Sequence, residues 1–367
     1  MNVACLVPYP VDRVPGQRFR LEQWAAPLAA RGIHLEFIPL LSSETMSILY
    51  KPGHLFEKSR DILAGCLARA RFALEKAHDY DVVVIFREAL LLGIDWIERI
   101  LTRRVPTVFD FDDAVWLPNV SNANRRFEFL KGFQKVDRIL GMVSSVSAGC
   151  GFLADHARQF NEHVHIVPTS IDLGSYATVR KHQATDVLTV GWTGSVTSSE
   201  YMKLIIPALQ SAARELPMRV RLLGGKVDIP GVETECIEWT PDREIPVIET
   251  FDVGVKPAAR EDWVRGKCPM KDIQYMALGI PPVATAFGTA FESIEHGVSG
   301  FLCDTDENWV TALKRLRDPA ERNKLGAAAR KVVEQRYSSE VAATAFAGAL
   351  GDARDRFRRS QRAGRSS

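Results

Sequence analysis

Arg265, Lys267 and Lys271 place three cations within seven residues around Gly266, directly ahead of a helical pattern over 270–278. A cation in a first helical turn opposes the helix dipole, at a cost of about 0.3–1 kcal/mol unless an anion sits beside it. A bound phosphate removes that cost, so the segment reads as an anion-binding turn. The plainer alternative is a solvated basic loop, because surface charge runs often carry no function. Upstream, Gly191-Trp192-Thr193-Gly194-Ser195 follows an apolar run over 187–191. A glycine-bearing turn opening toward a helix lets backbone N–H groups approach an anion closely. It lacks the third glycine of a dinucleotide fingerprint, and a bare strand-to-helix connection would look the same.

The first half carries a second polar set. Arg18 and Arg20 follow Pro15-Gly16-Gln17 at the start of a predicted helix, either as ligand-binding cations or as exposed helix-start arginines. Arg87-Glu88 and Asp110, Asp112 and Asp113 stand at or just past the ends of apolar runs over 81–86 and 107–111. Carboxylates grouped at strand ends can orient hydroxyl groups or hold a basic residue in place. Asp110 and Asp112 alternate with Phe109 and Phe111, so they share one side of the strand end. Two such carboxylates alone rarely make a metal site, and no metal is expected. Asp113 equally suits an ion pair or an N-cap. The histidines follow no nucleophile pattern, so no Ser-His-Asp or Cys-His arrangement is arguable.

These residues need a scaffold, and the chain supplies one. Its 367 residues are too many for one ordinary core and suit two domains. A composition of 46% hydrophobic and 25% charged residues excludes disordered and collagen-like classes. The formal net charge of +2 does not point to a dedicated nucleic-acid binder. Six scattered cysteines without metal spacing suggest a reducing compartment. With no signal-peptide pattern and no run long enough to span a bilayer, a cytoplasmic protein is expected, with at most peripheral contact at the inner membrane face.

Apolar runs at 3–7, 35–40, 81–86, 107–111, 138–143 and 163–167 predict buried parallel strands, and a second series follows at 187–191, 219–223, 233–237, 252–255, 282–285 and 300–302. Between them lie helical patterns at 18–31, 199–215, 270–278, 306–317 and 319–336. The expectation is an α/β chain of two doubly wound domains. The first spans 1–172 and the second 187–338, joined by a linker over 173–186. A helix over 339–357 and a basic, flexible tail over 358–367 follow.

At this point the sequence resembles a known family. GWTGS, the segment 251–257, W-x-R-G-K-x-x-x-K-x-x-Q-Y-M-A-x-G-x-P-x-V-A, E-x-x-x-x-G-x-x-G-F-L and R-x-x-V-E-x-x-Y-S occur in that order. Together they look like family 4-type glycosyltransferases of the GT-B fold. The likeness covers the C-terminal half; the N-terminal half matches more loosely. The resemblance implies two Rossmann-like domains facing a cleft, with the last helix returning to the first domain. It implies transfer of a sugar from a nucleotide diphosphate donor, UDP- or GDP-linked, to a glycan or lipid-linked acceptor, usually with retention. Surface polysaccharide or glycoconjugate synthesis would be the setting, and no tightly bound cofactor is expected.

Donor contacts would fall on Gly16, Gly191, Trp192, Thr193, Gly194, Ser195, Gly266, Cys268 and Gln274. Acceptor contacts would fall on Arg18, Arg20, Arg87, Glu88, Asp110, Asp112 and Asp113. The family's paired glutamates fall on Gly266 and Gln274, so both carboxylates are absent; Gln274 could still hold the ribose through its amide carbonyl. Family cations that grip the diphosphate fall near Thr193 and Ser198, neither of them basic. Arg265, Lys267 and Lys271 are therefore expected to neutralise the departing diphosphate, which could itself accept the acceptor's proton.

Two other classes stay open. A nucleotide-sugar epimerase would need catalytic carboxylates and histidines that do not assemble here. A nucleotide-sugar-binding protein without catalysis would fit the missing glutamates. Over 51–78, Lys51, Lys58, Arg60, Arg69, Arg71 and Lys76 accompany the stripe Leu63, Leu67, Ala70 and Leu74. Such a helix either rests on an anionic membrane or packs its stripe on the sheet.

Overall fold

A computed structural model of the chain describes residues 1–49, 51, 53–90, 93–117, 132 and 134–363. The alternating runs form two parallel six-stranded sheets flanked by helices. They lie in two compact units, Met1–Thr169 with Ser339–Ser367, and Ser170–Ser338.

The first unit holds β1 (Asn2–Val7), β2 (His34–Pro39), β3 (Val82–Phe86), β4 (Thr107–Phe111), β5 (Ser145–Ala148) and β6 (Val164–Ile166), in the order β2-β1-β3-β4-β5-β6. Every residue of β3, β4 and β5 is buried, as continuous apolar or small runs require when helices cover both faces. The second unit holds β7 (Leu188–Thr193), β8 (Met218–Leu223), β9 (Glu233–Ile237), β10 (Val253–Lys256), β11 (Pro282–Thr285) and β12 (Phe301–Cys303), in the order β12-β11-β10-β7-β8-β9.

Five expectations differ from the structure. Residues 138–143 are not a strand but belong to the helix Lys135–Met142, which buries Val136, Ile139 and Leu140 on one face. The strand follows at β5, where Ser-Val-Ser-Ala gives little apolar signal. The helical pattern 18–31 divides into the turn Pro15–Arg18, a 3-10 turn Glu22–Trp24 and the helix Ala25–Ala29. The pattern 199–215 likewise breaks at Ile206–Glu215, whose first turn holds Pro207.

Residues 173–186 are no free linker. The Arg180 guanidinium pairs with Asp252 at 2.8 Å, and the Arg180 N–H donates to the Leu278 carbonyl. The His182 N–H donates to the Asn323 side chain.

The final helix runs over Ser339–Ala363, so the basic stretch from Arg358 continues it instead of forming a loose tail. Residues 364–367 lie outside the described residues. Its face of Ala342, Ala343, Phe346, Leu350 and Ala353 joins the first unit's core with Val3, Cys5, Trp24 and Leu28. The Phe346 and Trp24 ring centroids are 5.0 Å apart. All six cysteines carry free thiols. Among the described residues no helix is long and apolar enough to cross a membrane.

Because Phe346 is fully buried, Phe346→Ala should cost about 3–5 kcal/mol. The urea midpoint of the transition that reports the first unit should fall accordingly; an unmoved midpoint would show that this helix adds no stability.

Candidate functional site

In the second sheet β7 pairs with β8 on one side and β10 on the other, and later strands add outward from that pair. Such a reversal leaves a crevice beyond the carboxyl ends of the two strands, the usual ligand position in doubly wound sheets. Here β7 ends at Thr193 and β10 at Lys256. The helix Met270–Ala277 packs on β10 and β11. Its Tyr275 hydroxyl accepts from the Thr193 N–H at 3.0 Å and faces the Val255 carbonyl at 3.4 Å. The phenol is fully buried, and burial raises its pKa far above the ordinary value, so it stays protonated.

Lys271 lies one turn before Tyr275, with its ammonium 5.3 Å from the Trp192 ring centroid. A Cβ on Gly194 would stand 2.7 Å from that ring and 2.8 Å from Lys271 Cε. Glycine at 194 therefore leaves room for both. Burial pulls the Lys271 pKa down to about 7, reinforced by the nearby cations Lys267 and Lys256. Lys256 donates to Asp272 Oδ2 at 2.5 Å, and Ser293 donates to the same oxygen at 3.1 Å. Asp272 Oδ1 is buried and has no hydrogen-bond partner. Lys267 is exposed, with its ammonium 4.9 Å from the Trp263 ring, while its backbone carbonyl accepts from Thr289 at 2.6 Å.

The structure thus gathers Lys267 and Lys271 with Lys256. The sequence reading did not single out Lys256; its signal was a cation ending an apolar strand just before Pro257. Arg265 closes the exposed turn Asp262–Arg265 with its guanidinium 3.9 Å from Asp262.

Gly191 and Trp192 lie inside β7, not in a phosphate-cradling turn, and the Phe251 ring covers Gly191. Thr193 is buried at the strand end, Gly194 is half-buried, and Ser195 caps the short helix Val196–Ser199. Gly266 is buried and Cys268 half-buried. Gln274 is 4% exposed, and its amide nitrogen donates to the Tyr176 hydroxyl at 3.0 Å and to Glu244 at 2.7 Å. The amide nitrogen of Gln274 is thereby engaged inside the unit.

The first unit corrects the acceptor set. Arg20 is fully buried and makes a two-pronged contact with Asp110 at 2.6 and 2.8 Å. A third nitrogen reaches the Val167 carbonyl at 2.7 Å, and Ser147 donates to Asp110 at 2.5 Å. Burial pushes the Asp110 carboxyl up against the opposing pull of Arg20. With all these groups engaged in the core, neither Arg20 nor Asp110 is open to an acceptor.

Arg87, beyond β3, pairs with Asp112 at 2.7 Å and holds a left-handed backbone at φ 63°. Strained non-glycine residues of this kind cluster at functional sites. Burial works against its charge, and Asp112 more than restores it, raising the guanidinium above its ordinary pKa. Gly16 lies beside this pair: a Cβ there would stand 3.2 Å from the Arg87 guanidinium. Arg18 is half-buried over the Phe19 ring, Glu88 stands 4.0 Å from the buried Lys135, and Asp113 accepts from the Ala114 N–H. Asp110 and Asp112 each face their own arginine, so they do not act as one pair.

Residues 187–318, which contain the whole lysine grouping, match a family model described as "Glycosyl transferases group 1". No curated protein matches the chain. Three solved proteins share its fold. HepE of Anabaena, in complex with UDP, superposes with a TM-score of 0.66 at 15% identity, covering 96% of this chain and 100% of that one. Another HepE structure holds UDP-glucose, with a TM-score of 0.64 at 16% identity over 96% and 99% of the two chains. Sucrose-phosphate synthase of Thermosynechococcus elongatus gives 0.66 at 16% identity over 95% and 98%. A glycosyltransferase of Rickettsia africae gives 0.67 at 13% identity over 96% and 98%. The two parallel sheets are therefore those of the GT-B fold.

Removing one partner of a fully buried ion pair leaves the other uncompensated, at a cost of about 3–5 kcal/mol. Asp110→Ala should lower the first unit's urea midpoint by that much. A loss below about 1 kcal/mol would show the pair to be dispensable.

Proposed function

We propose that the chain is a glycosyltransferase that moves a sugar from a nucleotide diphosphate donor, a UDP- or GDP-sugar, to a saccharide or lipid-linked acceptor. One observation carries this reading: Lys256, Lys267 and Lys271 converge at the β7–β10 reversal, inside the segment that matches the family. The Lys271 charge is poorly solvated, and it is repelled by Lys267 and Lys256, which Asp272 only partly offsets. A diphosphate would relieve both penalties. The UDP and UDP-glucose held by HepE support a donor of this chemistry.

In this reading the donor's phosphates lie between the Lys267 ammonium and the Lys271–Trp192 stack, beside Gly194. As the glycosidic bond to the diphosphate breaks, positive charge grows on the sugar ring and negative charge on the leaving oxygens. Fixed ammonium groups stabilise the latter more in the transition state than in the ground state, which lowers the barrier. Among the described residues the carboxylate beside the lysines is Asp272, which Lys256 and Ser293 occupy. Transfer with retention, the departing phosphate taking the acceptor's proton, is the consistent chemistry. The first unit would receive the acceptor through Arg18, Arg87 with Asp112, Glu88 and Asp113, in surface polysaccharide or glycoconjugate synthesis.

Lys267→Glu should weaken UDP binding about tenfold or more by calorimetry, since reversal turns an attraction into a repulsion. Unchanged affinity would remove Lys267 from the site.

Proton linkage gives a second test. With its folded pKa lowered to about 7, Lys271 is charged below that pH and neutral above it. Its half-buried, poorly solvated charge lowers stability fully below pH 7, and the penalty fades as pH rises toward the unfolded value near 10.4. Phosphate binding needs the charged form, so UDP affinity should fall as pH rises from about 6 to about 9, with proton uptake on binding at the upper end. Lys271→Met should bind more weakly and lose that slope; a slope that survives would assign the proton elsewhere.

A further inference from the structure

The helix Leu55–Arg71 and the wider turn Phe72–Lys76 that continues it display a face that the fold does not use. Phe56, Leu63, Leu67 and Leu74 are 75%, 62%, 63% and 47% exposed. At 100° per residue these four side chains fall within about 40° of one line along the helix, which runs for about 27 Å. The leucine stripe expected to pack on the sheet or to rest on a membrane thus points outward.

The opposite side is held firmly. A Cβ on Gly65 would stand 2.3 Å from the Leu40 carbonyl oxygen, so glycine there lets the helix press on the backbone beyond β2. Arg69, 1% exposed, donates to the carbonyls of Ala89 at 2.9 Å, Val7 at 2.6 Å and Ile38 at 3.0 Å. Asp61 accepts from the Ser42 N–H at 3.0 Å and its hydroxyl at 3.1 Å. Arg69, counted above among the cations of this helix, is thereby turned inward, and Asp61 is tied to Ser42. The orientation is fixed, and the apolar line is what remains outside.

We propose that this ridge docks the chain on an anionic lipid bilayer. Charge complementarity selects that occupant. Arg60 and Arg71 are exposed and lie beside the leucine line, and the Arg104 guanidinium donates to the Leu74 carbonyl at 2.6 Å, placing a cation at its far end. The neighbouring acids stand off the line and are engaged: Glu75 with Arg71 at 2.7 Å, Glu57 beside His54 at 3.9 Å. Large apolar side chains flanked by arginines suit the boundary between headgroups and acyl chains. A convex line one side chain wide enters a fluid surface more readily than it matches a second rigid one.

Co-sedimentation of the full chain with phosphatidylcholine vesicles, with and without phosphatidylglycerol, tests this. Binding should require phosphatidylglycerol and weaken with salt. Leu63→Gln with Leu67→Gln should lower partitioning about tenfold or more, and Arg60→Gln with Arg71→Gln should reduce the salt dependence. Exposed positions should leave the circular dichroism spectrum, melting temperature and UDP affinity as in the wild type, so failure here is separable from failure of the donor reading. Absence of vesicle binding by the wild type, or equal binding by the leucine variant, overturns the proposal. So does light scattering that shows a dimer which the leucine variant dissociates, since the ridge would then belong to a second copy.

Discussion

The Tyr275 hydroxyl ties together the ends of the two strands between which the second sheet reverses direction. Everything proposed for the site follows from that bridge. Tyr275 fixes the rotation of the helix Met270–Ala277, and Lys271, four residues earlier, must then project on the same side, against Trp192. Asp272, turned by a further 100°, meets Lys256 and Ser293 instead. One buried phenol thus decides which lysine pairs with Asp272 and which stacks on Trp192.

The first unit deals with buried cations differently. Arg20 is neutralised by Asp110, Arg87 by Asp112 and Lys135 by Glu98 at 3.1 Å, while Arg69 donates to three backbone carbonyls, keeps a buried Nε without a hydrogen-bond partner and feels the charge of Glu98. Burial lowers the Arg69 pKa to about 10, still well above neutrality. These arrangements serve the core, whereas in the second unit Lys267 and Lys256 both work against the Lys271 charge. That contrast is why a ligand anion is placed in one unit and not in the other.

Much of the scaffold was legible because parallel strands are continuous apolar runs, and β1, β3, β4 and β7 read directly as such. β5 escaped notice because Ser-Val-Ser-Ala is buried by its neighbours and not by its own hydrophobicity. The run at 138–143 misled because one buried helical face and a short strand show the same local composition. Of the site, Lys267 and Lys271 stood out by their spacing to a helix start. Lys256 did not, since its relevance depends on β10 lying next to β7, a tertiary fact. Arg20 and Asp110 looked like ligand contacts because nothing local says that residues ninety positions apart will meet in a core.

The return of the final helix to the first unit has a consequence for biogenesis. A ribosome releases Val3, Trp24 and Leu28 before the Ser170–Ser338 region, yet the face that covers them, with Phe346 at its centre, is made after that region. At about 5–20 residues per second, the intervening segment takes tens of seconds to emerge. During that time the earlier-made half must wait with part of its interior bare, while the later-made Ser170–Ser338 region has all its strands in one continuous stretch. Of the two units, the one begun first is therefore completed second.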